Sequence, residues 1–331
     1  MFRLQALALC FLVLPSVAVA GEATQSLTPD AVNAADLSAV PPESPSGAPE
    51  PSPAPDAAVV KLEILLDRAG ASPGVIDGFD GDNLRKAVRA FEAMAGLTVD
   101  GKVSADLIGK LQTGDPVLAS YTITDKDVAD LVPNIPTDYA EMAQLEFLGY
   151  TRVTEELGER FHMDEDLLKA LNPQASFVAG EQIAVAAYGP DKDGQVARIE
   201  ADKGDRQLRA YDVDGKLLVA YPATIGSDDN PSPTGTHLVD AIVQMPNYTY
   251  NPDVNFKQGN NTEKLIIPPG PNGPVGSVWI DLTEPTFGIH GTPEPSKIDK
   301  TNSHGCVRLT NWDAEELSKM VAKGVPVEFT D

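Results

Sequence analysis

The chain has 331 residues and carries 49 acidic against 25 basic side chains, a formal net charge of −24. That balance excludes nucleic acid and anionic lipid as main partners. At roughly 100–200 residues per domain, the length allows two or three domains.

Residues 1–20 read as a secretory signal: Arg3 supplies a thin positive start, an apolar run follows from Leu4 to Val19, and Ala18-Val19-Ala20 gives a small-x-small cleavage site before Gly21. The run contains Gln5 and Pro15 and falls short of the roughly 20 apolar residues that span a bilayer, so cleavage is expected rather than anchoring. Of the two cysteines, Cys10 falls in this segment, leaving Cys306 alone in the exported chain and no internal disulfide. An unpaired thiol in an oxidising compartment is a hazard unless it does chemistry; a small buried cysteine is the bland alternative.

Residues 21–57 are rich in Ala, Pro, Ser and acidic side chains, as in Pro41-Pro42-Glu43-Ser44-Pro45. They are predicted to be a disordered, semi-rigid tether, because so few apolar side chains cannot offset the entropy of ordering. From Val59 the period becomes helical. Val60, Leu62, Leu65 and Leu66 share a face that Gly70 and Pro73-Gly74 end, and Leu84, Ala87, Val88, Phe91 and Ala95 mark a second helix before Gly96. With Asp77-Gly78 and Asp100-Gly101, this pattern over 58–113 resembles the small helical peptidoglycan-binding domain of wall enzymes. Glu63 and Glu92 stand where that family usually has glutamine, so a spacer that no longer binds glycan is the alternative. In 114–190, Tyr150–Leu157 and Phe161–Pro173 read as short helices and Gly180–Val185 as a strand. This ending is similar to a LysM glycan-binding module. His162 is read as a surface helix residue.

From Gln195 the period becomes two. Strands are predicted at Val196–Ala201, Leu208–Val213, Leu217–Tyr221, Leu265–Ile267, Val278–Leu282, Phe287–Ile289 and Val325–Phe329, with Asp214-Gly215 as a hairpin turn. One helix, Asp313 to Ala322, is capped by Thr310 or Asn311. The expected architecture is multidomain: a mainly β domain with one or two helices over 194–331, preceded by a small all-α domain and a small α+β module.

The chemistry concentrates in that last domain. Ser303-His304-Gly305-Cys306 places the thiol beside a histidine, and His290-Gly291-Thr292 lies just upstream; two of four histidines and the exported thiol thus occupy seventeen residues. A neighbouring imidazole is the usual means of making a thiol nucleophilic. On spacing alone either His304 or His290 could be the base. Gly305 permits a tight backbone approach, so the Gly305 and Cys306 amides could face a developing oxyanion. A zinc site of His290, His304 and Cys306 is the competing reading, but it lacks a fourth ligand and a usual spacing.

These segments, with Ser232-Pro233-Thr234-Gly235-Thr236, Tyr250-Asn251-Pro252 and Pro268-Pro269-Gly270-Pro271-Asn272-Gly273-Pro274-Val275-Gly276, occur in the order found in the L,D-transpeptidase (YkuD-type) catalytic domain, which the chain closely resembles over 194–330. The resemblance implies a YkuD-type β-sandwich with Cys306 as nucleophile, His290 as base and the Gly291 carbonyl holding the imidazole. His304 would bind substrate or support the turn. Ser303, Arg308, Thr292 and Tyr250 would contact substrate or orient the loop, and the segment Tyr248 to Asn261 would cap the cleft. Ile298-Asp299 departs from a common Ile-Gly.

The implied reaction is peptidoglycan 3→3 cross-linking through a cysteine acyl-enzyme with release of D-Ala, using no metal, nucleotide or other cofactor. Partners would be stem peptides and glycan strands, with carbapenems as covalent inhibitors, in a Gram-negative-type periplasm. Rival readings are an L,D-carboxypeptidase, an enzyme joining or freeing an envelope protein at a lysine, a wall-binding module with incidental catalysis, and a dead enzyme.

Overall fold

A computed structural model describes residues 27–41, 54–111, 114–227, 230–254 and 256–331. The signal-like residues 1–20 and the densest proline stretch, 42–53, lie outside them.

Part of the segment expected to be a disordered tether is folded. The Thr28 side chain accepts from the Ala31 amide and opens α1 (Pro29–Ala34) with proline at the first helical position; Asp36 likewise caps a short 3₁₀ turn, Leu37–Ala39. Val32, Leu37 and Val40 are buried in the core of the following helical domain. Lys61 Nζ donates to the Asn33 and Ala35 carbonyls at 2.9 and 2.7 Å, and Asn33 Oδ1 accepts from the Val117 and Leu118 amides. Three apolar side chains suffice here because their partners come from outside the segment.

The helical domain comprises α2 (Ala57–Ala69), α3 (Asp82–Ala95) and α4 (Ala105–Leu111). Asp56 caps α2, and left-handed Gly70 and Gly96 end α2 and α3. Glu63 and Glu92 point inward. Glu63 Oε2 accepts from the Gly78 amide at 2.8 Å, and Glu92 Oε2 from the Asp100 and Gly101 amides at 3.0 and 2.9 Å. Each glutamate thus braces one of the two Asp-Gly turns.

The middle module runs β1 (Leu118–Thr122), α5 (Asp125–Ala129), α6 (Tyr139–Met142), α7 (Val153–Arg160), α8 (Glu165–Leu171) and β2 (Gln182–Ala186), with β1 antiparallel to β2. Strand β1 is mostly exposed and carries Ser120 and Thr122, so no apolar alternation announces it. Between α5 and α7 the chain leaves as an arm that bears α6. The arm docks on the proline-glycine motif: Leu148 N donates to the Pro269 carbonyl at 2.8 Å, and Asn272 Nδ2 to the Gly149 carbonyl at 2.9 Å. Gly270 has no room for a side chain, since a Cβ would lie 2.2 Å from the Leu148 carbonyl oxygen.

The C-terminal domain comprises β3 (Arg198–Asp202), β4 (Gln207–Tyr211), β5 (Leu217–Pro222), β6 (Thr224–Ile225), β7 (Gly235–Gln244), β8 (Tyr248–Tyr250), β9 (Leu265–Ile267), β10 (Val278–Leu282), β11 (Gly288–His290), β12 (Val307–Arg308), α9 (Asn311–Met320) and β13 (Pro326–Thr330). Nine strands form one mixed sheet in the order β5-β4-β3-β13-β7-β10-β11-β12-β6, while β8 and β9 form a separate hairpin. Both halves of the sheet, from Ile199 and Leu208 to Ile280 and Val307, enclose one core with Leu317 and Met320 of α9. The hairpin has its own small core with the arm, in which Leu148, Tyr250 and Ile267 are buried.

The three parts are bound together by polar contacts. Ala71 pairs with Ala220 of β5, the Ser72 amide donating to the Ala220 carbonyl and the Ala220 amide to Gly70, each at 2.9 Å. His162 is not a surface helix residue. It sits between α7 and α8 at φ 58, with Nδ1 2.8 Å from Asp67 Oδ2, and its ring stacks on Tyr188 at 4.0 Å and Trp312 at 5.1 Å. Asp299, where the related pattern has glycine, adopts φ 65, and its carboxylate lies 2.5 Å from Lys86 Nζ of α3. Glu159 of α7 accepts from Asn311 Nδ2 at 2.8 Å and from the Tyr150 hydroxyl at 3.2 Å.

Two outcomes follow. Asp299→Asn keeps a residue that tolerates the left-handed region but strands the Lys86 charge at a site where both side chains are nearly covered, 13% and 8% exposed. Denaturant unfolding should register a loss of about 3–5 kcal/mol; an unchanged midpoint would refute the pair's role. Burial pushes the Glu159 carboxyl up to about 8 from an ordinary 4.5, against hydrogen bonds from Asn311 and Tyr150. The folded chain therefore holds a proton that the unfolded chain releases, and this group's contribution to stability falls as pH rises across that interval. Glu159→Gln should remove that component, so the gap between wild-type and variant melting temperatures should change from pH 4.5 to pH 8. Parallel profiles would contradict it.

Candidate active site

The catalytic cysteine expected from sequence lies where two short parallel strands meet. In the β11–β12 pairing, Ile289 is opposite Val307 and His290 opposite Arg308. Alternation along each strand then puts Cys306 and Arg308 on the same face as His290. All three line one cleft of about 200 Å³, together with His304, Tyr248, Phe256, Trp279, Thr286 and Tyr139.

His290 is buried, and its Nδ1 lies 2.7 Å from the Gly291 carbonyl oxygen. Because that contact requires N–H at Nδ1, Nε2 is the nitrogen left for proton transfer. Burial foremost, then the Arg308 charge, lowers the imidazole to about 3, so it is neutral in ordinary buffers. Trp279 stacks on it at 5.5 Å. Burial likewise pushes the Cys306 thiol up, against a backbone hydrogen bond from Gly288 and the Arg308 charge, which pull it down. Sγ donates to the Thr286 carbonyl at 3.7 Å, and Thr286 holds φ 73, a costly conformation for a β-branched residue. Burial thus works against both the thiolate of Cys306 and the imidazolium of His290 in this cleft.

The two candidate bases are separated by their surroundings. His304 is exposed and stacks on Phe256 of the capping segment at 3.9 Å and 14°, whereas His290 is enclosed and oriented. The capping segment lies where expected, with Tyr248, Val254 and Phe256 on the cleft.

Four expected contacts fall elsewhere. Tyr250 is fully buried; its hydroxyl accepts from the Gln258 amide at 3.0 Å, so it supports the cap while Tyr248 lines the cleft. Thr292 is buried outside the cleft, where Oγ1 accepts from the Glu294 amide. Ser303 is buried too: its hydroxyl donates to the Cys306 carbonyl at 2.7 Å and accepts from the Gly226 and Gly305 amides at 2.7 and 3.2 Å. It can thus orient the loop but has nothing left for substrate. The same bond occupies the Gly305 amide, which is withdrawn from an oxyanion role. Gly305 is needed for another reason: at φ +107 a Cβ would meet the Phe287 ring at 2.5 Å. Arg308 is half-exposed on the cleft, the position required of a partner for a carboxylate.

Sequence reasoning missed Trp279, Thr286 and Tyr139. The first two sit on and beside strands that were expected, and only the register of those strands turns them to the cleft. Tyr139 comes from the arm of the middle module, and no motif spacing points to it.

Residues 196–329 match the family described as L,D-transpeptidase catalytic domain (YkuD), and residues 55–111 match the one described as "Putative peptidoglycan binding domain". A Bacillus licheniformis protein is 32% identical over 133 residues, 40% of this chain and 65% of that one. A Bacillus subtilis protein is 28% identical over 169 residues, 50% of this chain and 87% of that one. Both bear the name "Putative L,D-transpeptidase YkuD", and the match spans just under two thirds of the first. Among solved structures, an L,D-transpeptidase from Mycobacterium smegmatis aligns with 46% of this chain and 64% of that one, at 22% identity and a TM-score of 0.34. Residues 196–329 are therefore an L,D-transpeptidase catalytic domain of the YkuD family, carried behind a domain of the peptidoglycan-binding type.

Proposed function

We propose that the protein is an exported peptidoglycan L,D-transpeptidase that forms 3→3 cross-links between stem peptides through a Cys306 acyl-enzyme. The observation that carries this reading is a single cleft holding Cys306 beside a neutral His290 whose Nδ1 is anchored on Gly291. As Sγ attacks the carbonyl on the L-centre of the third stem residue, expected to be diaminopimelate, its proton passes to Nε2 of His290. The thioester forms as the bond to the terminal D-Ala breaks, and His290 returns the proton to the departing amine. The side-chain amine of a second stem then attacks the thioester and gives its proton to His290, which restores the thiol. The energy of the cleaved peptide bond is conserved in the thioester. Arg308 supplies positive charge for a stem carboxylate.

The acceptor remains the variable step. Water would give an L,D-carboxypeptidase, and a lysine amine would attach an envelope protein. Residues 55–111 and 114–190 are proposed to hold glycan strands; with Glu63 and Glu92 turned inward, exposed residues of those parts would make the contacts. Carbapenems, which offer an electrophilic carbonyl, are expected to acylate Cys306. The location proposed is the periplasm of a Gram-negative-type envelope.

Mass spectrometry of products from disaccharide-tetrapeptide should reveal a dimer lacking one D-Ala with the wild-type chain and none with Cys306→Ala. Tripeptide monomer with free D-Ala would point to hydrolysis, and no turnover would refute the reading. The Cys306–His290 pair makes a second demand. Since burial holds the thiol above its usual range, alkylation of Cys306 by iodoacetamide should climb steadily with pH through neutrality and beyond. A plateau reached below neutral pH would mean a preformed thiolate–imidazolium pair, and the electrostatic description of the site would fall.

A further inference from the structure

The cleft is completed from outside the catalytic domain. Tyr139 opens α6 on the arm of the middle module, yet it lines the same cleft as Cys306 and Arg308. Its ring makes edge contacts with Tyr248, Tyr250 and Phe256 at 5.9, 5.3 and 6.1 Å, and Phe256 in turn stacks on His304. The backbone around it is clasped to the capping segment. The Tyr139 amide donates to Gln258 Oε1 at 3.2 Å, Gln258 Nε2 to the Thr137 carbonyl at 2.8 Å, and Asn261 Nδ2 to Asp138 Oδ2 at 3.2 Å. Such a ring has no freedom to leave the cleft without taking the cap with it.

Packing explains the ring but not the hydroxyl. A phenylalanine would make the same edge contacts. The Tyr250 hydroxyl is engaged with the cap, at the Gln258 amide and the Asn261 carbonyl. The Tyr139 hydroxyl has no hydrogen-bond partner among the described residues, although the side chain is half-buried and the Arg308 charge acts on it. A half-covered phenol is paired by water or by a ligand, since leaving it unpaired costs free energy. A peptide substrate brings carbonyl and carboxylate oxygens, which accept from a phenol and from a guanidinium alike.

We propose that Tyr139 is a substrate-positioning residue, contributed by the arm upstream of the catalytic domain, whose hydroxyl donates to an acceptor oxygen of the donor stem peptide. The assignment rests on the transpeptidase reading above and adds to it the part of the chain that sets donor recognition. Cap and arm then act as one wall of the site, and the catalytic domain by itself lacks a substrate contact.

The test uses the full exported chain and disaccharide-tetrapeptide as probe. Calorimetric binding to Cys306→Ala should weaken by about fivefold to tenfold when Tyr139→Phe is added, the usual effect of one hydrogen bond. In the active chain the same change should raise KM by a like factor and move kcat less. Iodoacetamide alkylation of Cys306 should keep its wild-type rate, which separates lost recognition from a disturbed fold. Equal Kd and KM for Tyr139→Phe and wild type would overturn the proposal, even if Tyr139→Ala were impaired, because the ring alone would then matter. Weaker binding in Tyr139→Phe with no turnover by wild type would uphold the assignment and sink the transpeptidase reading. No binding of the peptide to Cys306→Ala would overturn the assignment whatever the products.

Discussion

The site rests on a buried amide. Asn311, at the start of α9, accepts from the Ser277 amide through Oδ1 and donates through Nδ2 to Glu159 and to the Pro271 carbonyl. Two loops are pressed against it so closely that only glycine fits: a Cβ on Gly276 or Gly291 would lie 2.0 or 2.1 Å from Oδ1. Gly291 is the residue whose carbonyl fixes the His290 imidazole. The orientation of the His290 imidazole is thus set by a buried side chain outside the lining of the cleft, and through Glu159 that side chain is also bound to the middle module. A polar group this deep is tolerable only when each of its bonds is made, which ties the geometry of the base to the docking of its neighbours.

The motif residues divide accordingly. Ser303 and Gly305 shape the turn that presents Cys306, and Asn272 and Gly270 receive the arm. Asp299 turns a bend suited to glycine into an ionic contact with the helical domain. Much of what reads in sequence as an active-site signature is here scaffolding for the few residues proposed to act on substrate, Cys306, His290 and Arg308. Electrostatics follow the same division: burial disfavours the charged forms of Cys306 and His290, and among the described residues lining the cleft the fixed charge is that of Arg308.

What was legible in the sequence was whatever carries a local period or a rare residue. The thiol and its upstream histidine stood out by scarcity, Leu265–Ile267 and Val278–Leu282 by their apolar runs, and α9 by its Thr310 cap. Strand β7 did not, because most of its ten residues are exposed and a register shift at Asp281/Leu282 breaks the pairing of its β10 partner. Helix α1 was hidden in a proline-rich stretch whose few apolar residues matter only beside α2. Tyr250 and Tyr248 share a strand face, and only the depth of the cap decides which one meets the cleft. Tyr139 and His162 depend on contacts made across modules, to which no local pattern refers.

The pairing of Ala71 with Ala220 has a consequence for the sheet itself. Strand β5 is the outermost strand on its side, and an uncovered outer strand offers unpaired amides and carbonyls to any other chain. The turn after α2 occupies part of that ladder, while the opposite end of the sheet closes with β6, only two residues long. The helical domain is therefore also a guard against self-association. A catalytic domain cut free of it would keep Cys306 and His290, yet it would present Leu217–Pro222 as a template for aggregation.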